Sequence, residues 1–427
     1  MEVKTEKTKS YEVELTVEVP YERWVKILDK AFKDYARNST LKGFRPGKVP
    51  MSIIKNRYGE AITMETAEEA VNDFYREALN KQEYSPLAPG EIKELDYGEN
   101  KPFTFKAVFQ IMPEVKIEGY DELITHLENI EIEEDEIEAG LEQLRDDDAA
   151  LIPAEEVKGD HHVVTFDLQF LDKTGVPILT HKWKDAEIEI GRKTMGDKFD
   201  EALMGKKTGD EFKYVNVNEA FEEEEKREEY MMITVKDIKL KELPELNDEF
   251  AQSISKNIHT IEDLRKGLKT HISNQAASRA KSQMFTRLVD ILIENNRVDI
   301  PPVMLDDYLN RLMESARKDN PNLKEDDFRE NNRQSALWNL KWFLIRKAMI
   351  TQENLQADDA EIEAEFEKII TATPGDPAVI RKYYSEERNR NRIKDDIEER
   401  KALEFIESKA KITQKNMTYK EFIKTGG

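Results

Sequence analysis

Tyr11, Val13, Leu15, Val17 and Val19 alternate with polar residues, the period-two pattern of a half-buried strand, and Pro20 ends it. From Tyr21 to Arg37 the apolar positions Trp24, Ile27, Leu28, Ala31, Phe32 and Tyr35 recur at three and four, which predicts an amphipathic helix. The stretch "LKGFRPGKVP" follows, and a second helical pattern then runs from Ile53, Ile54 and Tyr58 to Val71, Phe74, Tyr75 and Leu79. "YSPLAPG" breaks it, and strand-like segments return up to "PFTFKAVFQIMP". Residues 1–112 therefore read as an α+β domain, with helices between strands of one antiparallel sheet.

Residues 113–149 begin extended and become helical and strongly acidic, as expected of a linker or arm. Period-two alternation resumes at Val164, Phe166, Leu168 and Phe170 and again in "YMMITVKDIKL". Residues 150–241 are thus predicted to form a β-rich domain with one short helix near Phe199 to Met204. Residues 242–427 read as helical almost throughout, with "PPVMLDDYLNRLMESARK" opening on prolines and "RQSALWNLKWFLIRKAMI" the most apolar helix. Because the β-rich segment separates the acidic arm from these helices, it reads as an insertion in an otherwise helical unit. The predicted class is multidomain α+β.

A chain of 427 residues exceeds one core, in keeping with this division. Its net charge of −23 argues against indiscriminate binding to nucleic acid or anionic membrane. That charge is unevenly spread. Residues 1–112 carry 18 Lys+Arg against 19 Asp+Glu, and within 26–57 nine cations face only Asp29 and Asp34. There is no cysteine, which excludes disulfides, thiolate metal sites and cysteine nucleophiles. Six histidines show no metal-ligand spacing, and no phosphate-binding loop or serine-hydrolase motif occurs, so neither a metal, ATP nor any other cofactor is expected. With no secretory signal and no run of eighteen apolar residues, the expected location is cytoplasmic, with neither membrane nor DNA as partner.

Four features converge: "GFRPGKVP" between helices, a β-rich centre ending in "LPELNDEF", then "VDIPPVMLDDYL", then a long helical tail. The chain resembles the trigger factor family, ribosome-associated bacterial chaperones, over essentially its whole length, and Gly43, Phe44, Arg45, Gly47 and Pro50 match the family signature GFRxGxxP in full. The resemblance implies a ribosome-binding domain at 1–112, an arm at 113–149, an FKBP-like peptidyl-prolyl isomerase domain at 150–241 and a helical chaperone domain at 242–427. It also implies an ATP-independent chaperone that meets large-subunit proteins and rRNA at the tunnel exit, binds nascent or unfolded polypeptides, and is able to form a homodimer off the ribosome. Taken on physics alone, the loop is a solvated turn in which glycines supply unusual dihedrals. On the functional reading, Lys42, Arg45 and Lys48 contact phosphate or acidic side chains while Phe44 anchors in an apolar pocket. Many relatives place a basic residue where this chain has Pro46.

Most relatives carry a run like Ile-Pro-Gly-Phe-Glu at the isomerase pocket. Here Phe199 falls on the phenylalanine and Met195 on an apolar neighbour, but Gly196, Asp197 and Lys198 replace Ile-Pro-Gly. Phe166, Met195, Phe199, Phe221 and Ile233 are the candidate pocket residues, and Phe166 and Phe170 read equally as plain core. Met284, Met304, Met313, Trp338 and Phe343 are candidates for client contact, with helix core as the competing reading. Two other readings stay open: a dedicated FKBP-type isomerase, and a periplasmic-type chaperone-isomerase, which would require a signal peptide.

Overall fold

A computed structural model describes residues 1–426 except 40, 42, 43, 46, 121, 122 and 219–226. The first segment comprises β1 (Glu2–Lys9), β2 (Glu12–Val19), α1 (Tyr21–Asn38), α2 (Met51–Gln82), β3 (Glu91–Asp96) and β4 (Phe103–Gln110). Its strands form an antiparallel sheet in the order β1-β2-β4-β3. Val13, Leu15, Val17 and Val19 of β2 lie opposite Phe109, Ala107, Phe105 and Phe103 of β4, so that the inner face of both strands is fully buried. Trp24 of α1 and Phe74 of α2 close that face, with the Trp24 and Phe103 rings 4.8 Å apart. Each such side chain contributes about 1.5–3 kcal/mol by leaving water. The outer strands carry almost no buried residue: β3 is exposed throughout, and its charges discourage pairing with another chain.

The second segment runs through β5 (Ile124–Glu131), α3 (Glu134–Asp147), β6 (Ala150–Pro153), β7 (His162–Leu171), β8 (Pro177–Glu189), α4 (Asp197–Leu203), β9 (Glu211–Asn218) and β10 (Arg227–Glu242). β7 lies between β8 and β10, and the other edge of the long β10 pairs with β9 along its first half and with β6 along its last four residues. Phe166 of β7, Ile233 of β10 and Phe199 of α4 meet in one core cluster between sheet and helix.

The rest is α5 (Asp248–Ile254), α6 (Ile261–Asn295), α7 (Pro302–Asp319), α8 (Glu325–Gln352), α9 (Asp359–Ala372), α10 (Pro377–Ser385), α11 (Glu387–Lys409), β11 (Lys411–Thr418) and α12 (Tyr419–Lys424). Met284, Leu288 and Leu292 of α6 pack with Leu344, Ile345 and Met349 of α8 and Ile406 of α11 in the main helical core. The strand β11, inside a tail expected to be helical, pairs with β5. Ile412, Thr413 and Thr418 favour the extended state, and a pairing 288 residues distant in sequence has no local signature. The chain forms two compact units, residues 1–127 with 282–413 and residues 128–281 with 414–427. No described helix is long and apolar enough to cross a membrane.

In the second unit an ion-pair network ties α3 to the β-rich sheet. The Lys241 ammonium lies 2.6 Å from Asp146 and 3.2 Å from Glu189, and Arg192 bonds both carboxylates. His161 stands 3.3 Å from Glu189, so Asp146, His161 and Glu189 come within metal-ligand reach of one another, but the two cations already neutralise both carboxylates. Burial works to raise the Asp146 pKa, and the bonds from Lys241 and Arg192 overcome it and hold the carboxyl below its usual range. A depressed carboxyl pKa stabilises the fold above its unfolded value and loses that contribution as pH falls through the folded one. Lys241→Ala is therefore expected to cost about 1–2 kcal/mol at pH 7, discounted for solvent nearby, and to weaken the fall in stability below about pH 4; urea titrations at pH 7 and pH 3.5 check this.

Candidate ribosome-docking loop and β-rich domain

The loop 39–50 joins two helices that each end or begin for local reasons. The Ser39 backbone N–H still donates to the Tyr35 carbonyl, and Pro50 precedes the first turn of α2, where its missing donor costs nothing. Val49 is buried against Phe32, Ile54 and Ile62, which pins the loop's far end. Near the tip, the Phe44 N–H donates to the Leu41 carbonyl at 3.0 Å and the Lys48 N–H to the Arg45 carbonyl at 2.9 Å.

Between these anchors Phe44, Arg45, Lys48 and Pro50 face solvent, and Phe44 is 38% exposed. Neither Arg45 nor Lys48 forms an ion pair among the described residues. Lys42, Gly43 and Pro46 lie outside the described residues. Gly47 adopts φ +72°, and a Cβ there would sit 3.0 Å from the Arg37 carbonyl oxygen, so both conformation and space call for glycine. Gly47→Ala should strain the loop by about 1–2 kcal/mol. We expect roughly tenfold weaker co-sedimentation with ribosomes, together with a melting temperature lowered by several degrees.

The β-rich domain brings four of its five candidates together. Phe166, Phe199 and Ile233 are fully buried and Met195 packs half-buried against them, while Phe221 lies outside the described residues. The Phe199 ring meets Phe166 at 5.5 Å and Tyr214 edge-on at 4.9 Å, so these rings touch one another rather than an open cleft. Where relatives carry Ile-Pro-Gly, Gly196 stands at φ +91° and caps α4. Asp200 of that helix accepts backbone bonds from Gly191 and Lys193 and fixes the preceding turn. Open apolar surface lies instead at Val176, Ile178 and Trp183, with Trp183 54% exposed and meeting Phe170 edge-on at 6.0 Å. Sequence reasoning did not single out Trp183, although "HKWK" in an alternating strand is its only local signal.

Among the candidate client-contact residues, Met284 and Met313 are core, Met304 and Trp338 are half-buried, and Phe343 is exposed. The Trp338 indole N–H donates to Asp290 at 2.5 Å, which holds that ring in place. Val379 and Tyr383 on α10 are more open than any of these, at 65% and 55%.

A domain with an exposed aromatic beside cations that form no ion pair among the described residues, a β-rich domain with a buried aromatic core, and a set of long helices define a multidomain binding protein. A model of the bacterial trigger factor protein matches residues 1–144, and one of its C-terminus matches residues 260–408. The chain is 30% identical to the trigger factor of Halothermothrix orenii, covering 95% of this chain and 98% of that protein. The trigger factor of Caldicellulosiruptor bescii is also 30% identical, over 96% of this chain and 97% of its own. A solved structure from work on promiscuous substrate recognition by the trigger factor chaperone aligns at TM-score 0.53 and 22% identity, covering 95% of this chain and 99% of that one, which shows the shared fold. The chain belongs to the trigger factor family, and as a member it is a ribosome-associated chaperone that assists protein folding.

Proposed function

We propose that the loop 39–50 docks this cytoplasmic chaperone on the large subunit at the tunnel exit, where it receives nascent chains without ATP. The observation that carries the reading is the exposed Phe44 beside Arg45 and Lys48, two cations left without ion-pair partners among the described residues. An apolar anchor with flanking charge is the pattern of an interface hot spot, and local positive charge speeds encounter with a polyanion. Residues 1–112 form the docking domain, 113–149 an arm, 150–241 an FKBP-like domain and 242–427 the chaperone body. Phe343, Val379 and Tyr383 offer apolar surface to unfolded chains, and the net charge of −23 keeps such a surface in solution. Off the ribosome, pairing of two copies would cover part of that surface.

The FKBP-like domain serves as a binding module with little isomerase activity. The Gly196-Asp197-Lys198 replacement and the sealing of Phe166, Phe199 and Ile233 in the core support this. Two assays on the intact chain test the reading: co-sedimentation with translating ribosomes, and suppression of aggregation of a chemically unfolded client without nucleotide. Both should be positive. Failure of co-sedimentation at moderate salt would contradict the docking role, and a requirement for ATP would contradict the holding role.

A further inference from the structure

Beyond the loop, α1 carries Lys26, Lys30, Lys33 and Arg37 at spacings of four, three and four. At about 100° per residue these four fall within an arc of roughly 60° and rise about 16 Å along the axis, which makes them one continuous stripe. Trp24 and Phe32 occupy the opposite, buried face, while Asp29 and Asp34 fall at the two margins of the stripe. All four cations are exposed, and none forms an ion pair among the described residues. Some helix cations elsewhere are paired, Arg265 with Glu134 and Glu138, Arg390 with Asp359 and Glu363, and Lys401 with Glu361; what sets α1 apart is that its four cations fall on one face, next to the loop. In an acidic protein, a row of unneutralised charge leading to the docking tip calls for an external anion.

We propose that this stripe is a phosphate track for large-subunit rRNA, extending the loop's contact along α1; the inference rests on the docking role proposed for the loop. RNA fits better than a protein face. Three of the four residues are lysines, which protein interfaces disfavour and which meet phosphate as point charges, and the stripe holds no aromatic or aliphatic anchor. The α1 surface thus supplies charge with little sequence preference, and Phe44 supplies the position.

The test is a salt titration of the full chain binding to large ribosomal subunits, with a parallel titration on protein-free large-subunit rRNA. Lys26→Gln, Lys30→Gln, Lys33→Gln and Arg37→Gln combined should keep the helix, since glutamine is a good helix former, and its circular dichroism and melting should match the parent. The slope of log affinity against log salt should fall by roughly 3 on subunits, with affinity at least about tenfold lower at low salt. Binding to protein-free rRNA should weaken as well. The conservative set Lys26→Arg, Lys30→Arg and Lys33→Arg should keep the parent slope. An unchanged slope in the glutamine variant overturns the inference, as does a slope loss on subunits with no change on protein-free rRNA. Failure of the loop's own role reads out separately, as undiminished subunit binding when Phe44, Arg45 and Lys48 are replaced.

Discussion

Replacing Phe44, Arg45 and Lys48 together by alanine is expected to abolish co-sedimentation with ribosomes while leaving the melting curve unchanged. Phe44 has 38% of its surface open, and neither Arg45 nor Lys48 makes an ion pair among the described residues, so the folded state loses little when they go. At an interface the balance reverses. A buried aromatic anchor with flanking cations typically accounts for about 2–4 kcal/mol per hot-spot residue, and two or three such losses weaken a micromolar complex by three orders of magnitude or more. The loss is separable by salt: Arg45→Ala and Lys48→Ala should act most strongly at low ionic strength, whereas Phe44→Ala should cost the same at all salt concentrations. Undiminished binding of the triple variant at moderate salt would remove the loop from the interface.

Phe199→Ala is expected to act as a stability change, not as the loss of a catalytic wall. The ring has no exposed surface and contacts both Phe166 and Tyr214, and burial also raises the Tyr214 phenol pKa. Removing such a ring typically costs about 3–5 kcal/mol, which in a domain of this size lowers melting by roughly 15 °C or more. A proline-peptide assay on the parent chain should show little acceleration, and restoring Ile-Pro-Gly at Gly196 to Lys198 should raise it only if Phe199 becomes accessible. Strong isomerase activity in the parent, lost in Phe199→Ala without change in melting, would contradict the reading of a sealed core.

How far these features could be read beforehand depends on where their physics resides. The helix α1 and the strands β2 and β4 were legible because Trp24, Phe32, Val13 and Phe105 repeat at the period of their own element and bury one face. β1 was not, because "EVKTEKTK" is a charged outer strand whose register comes from β2 rather than from its own alternation. β11 was hidden for the same reason, its partner being distant in sequence. The candidate docking loop stood out through its charge contrast and its glycines, one of which, Gly47, the backbone does require at positive φ. Phe166, Phe199 and Ile233 were named as candidate pocket residues with the family resemblance as guide; they share one core cluster, but a buried cluster and a ligand pocket share the same apolar spacing, and only burial separates them. Met284 illustrates the same point in the helical body, where a candidate contact is core.

The central claim is that the tip of the loop 39–50 meets the ribosome at the tunnel exit. The most direct measurement places a photo-crosslinking residue at Phe44 in the full chain, adds translating ribosomes, and identifies the adducts, with Met64, 57% exposed on α2, as the control position. The account predicts adducts from position 44 confined to large-subunit components around the exit, and few from position 64. Adducts spread over both subunits, or no excess over the control, would contradict it.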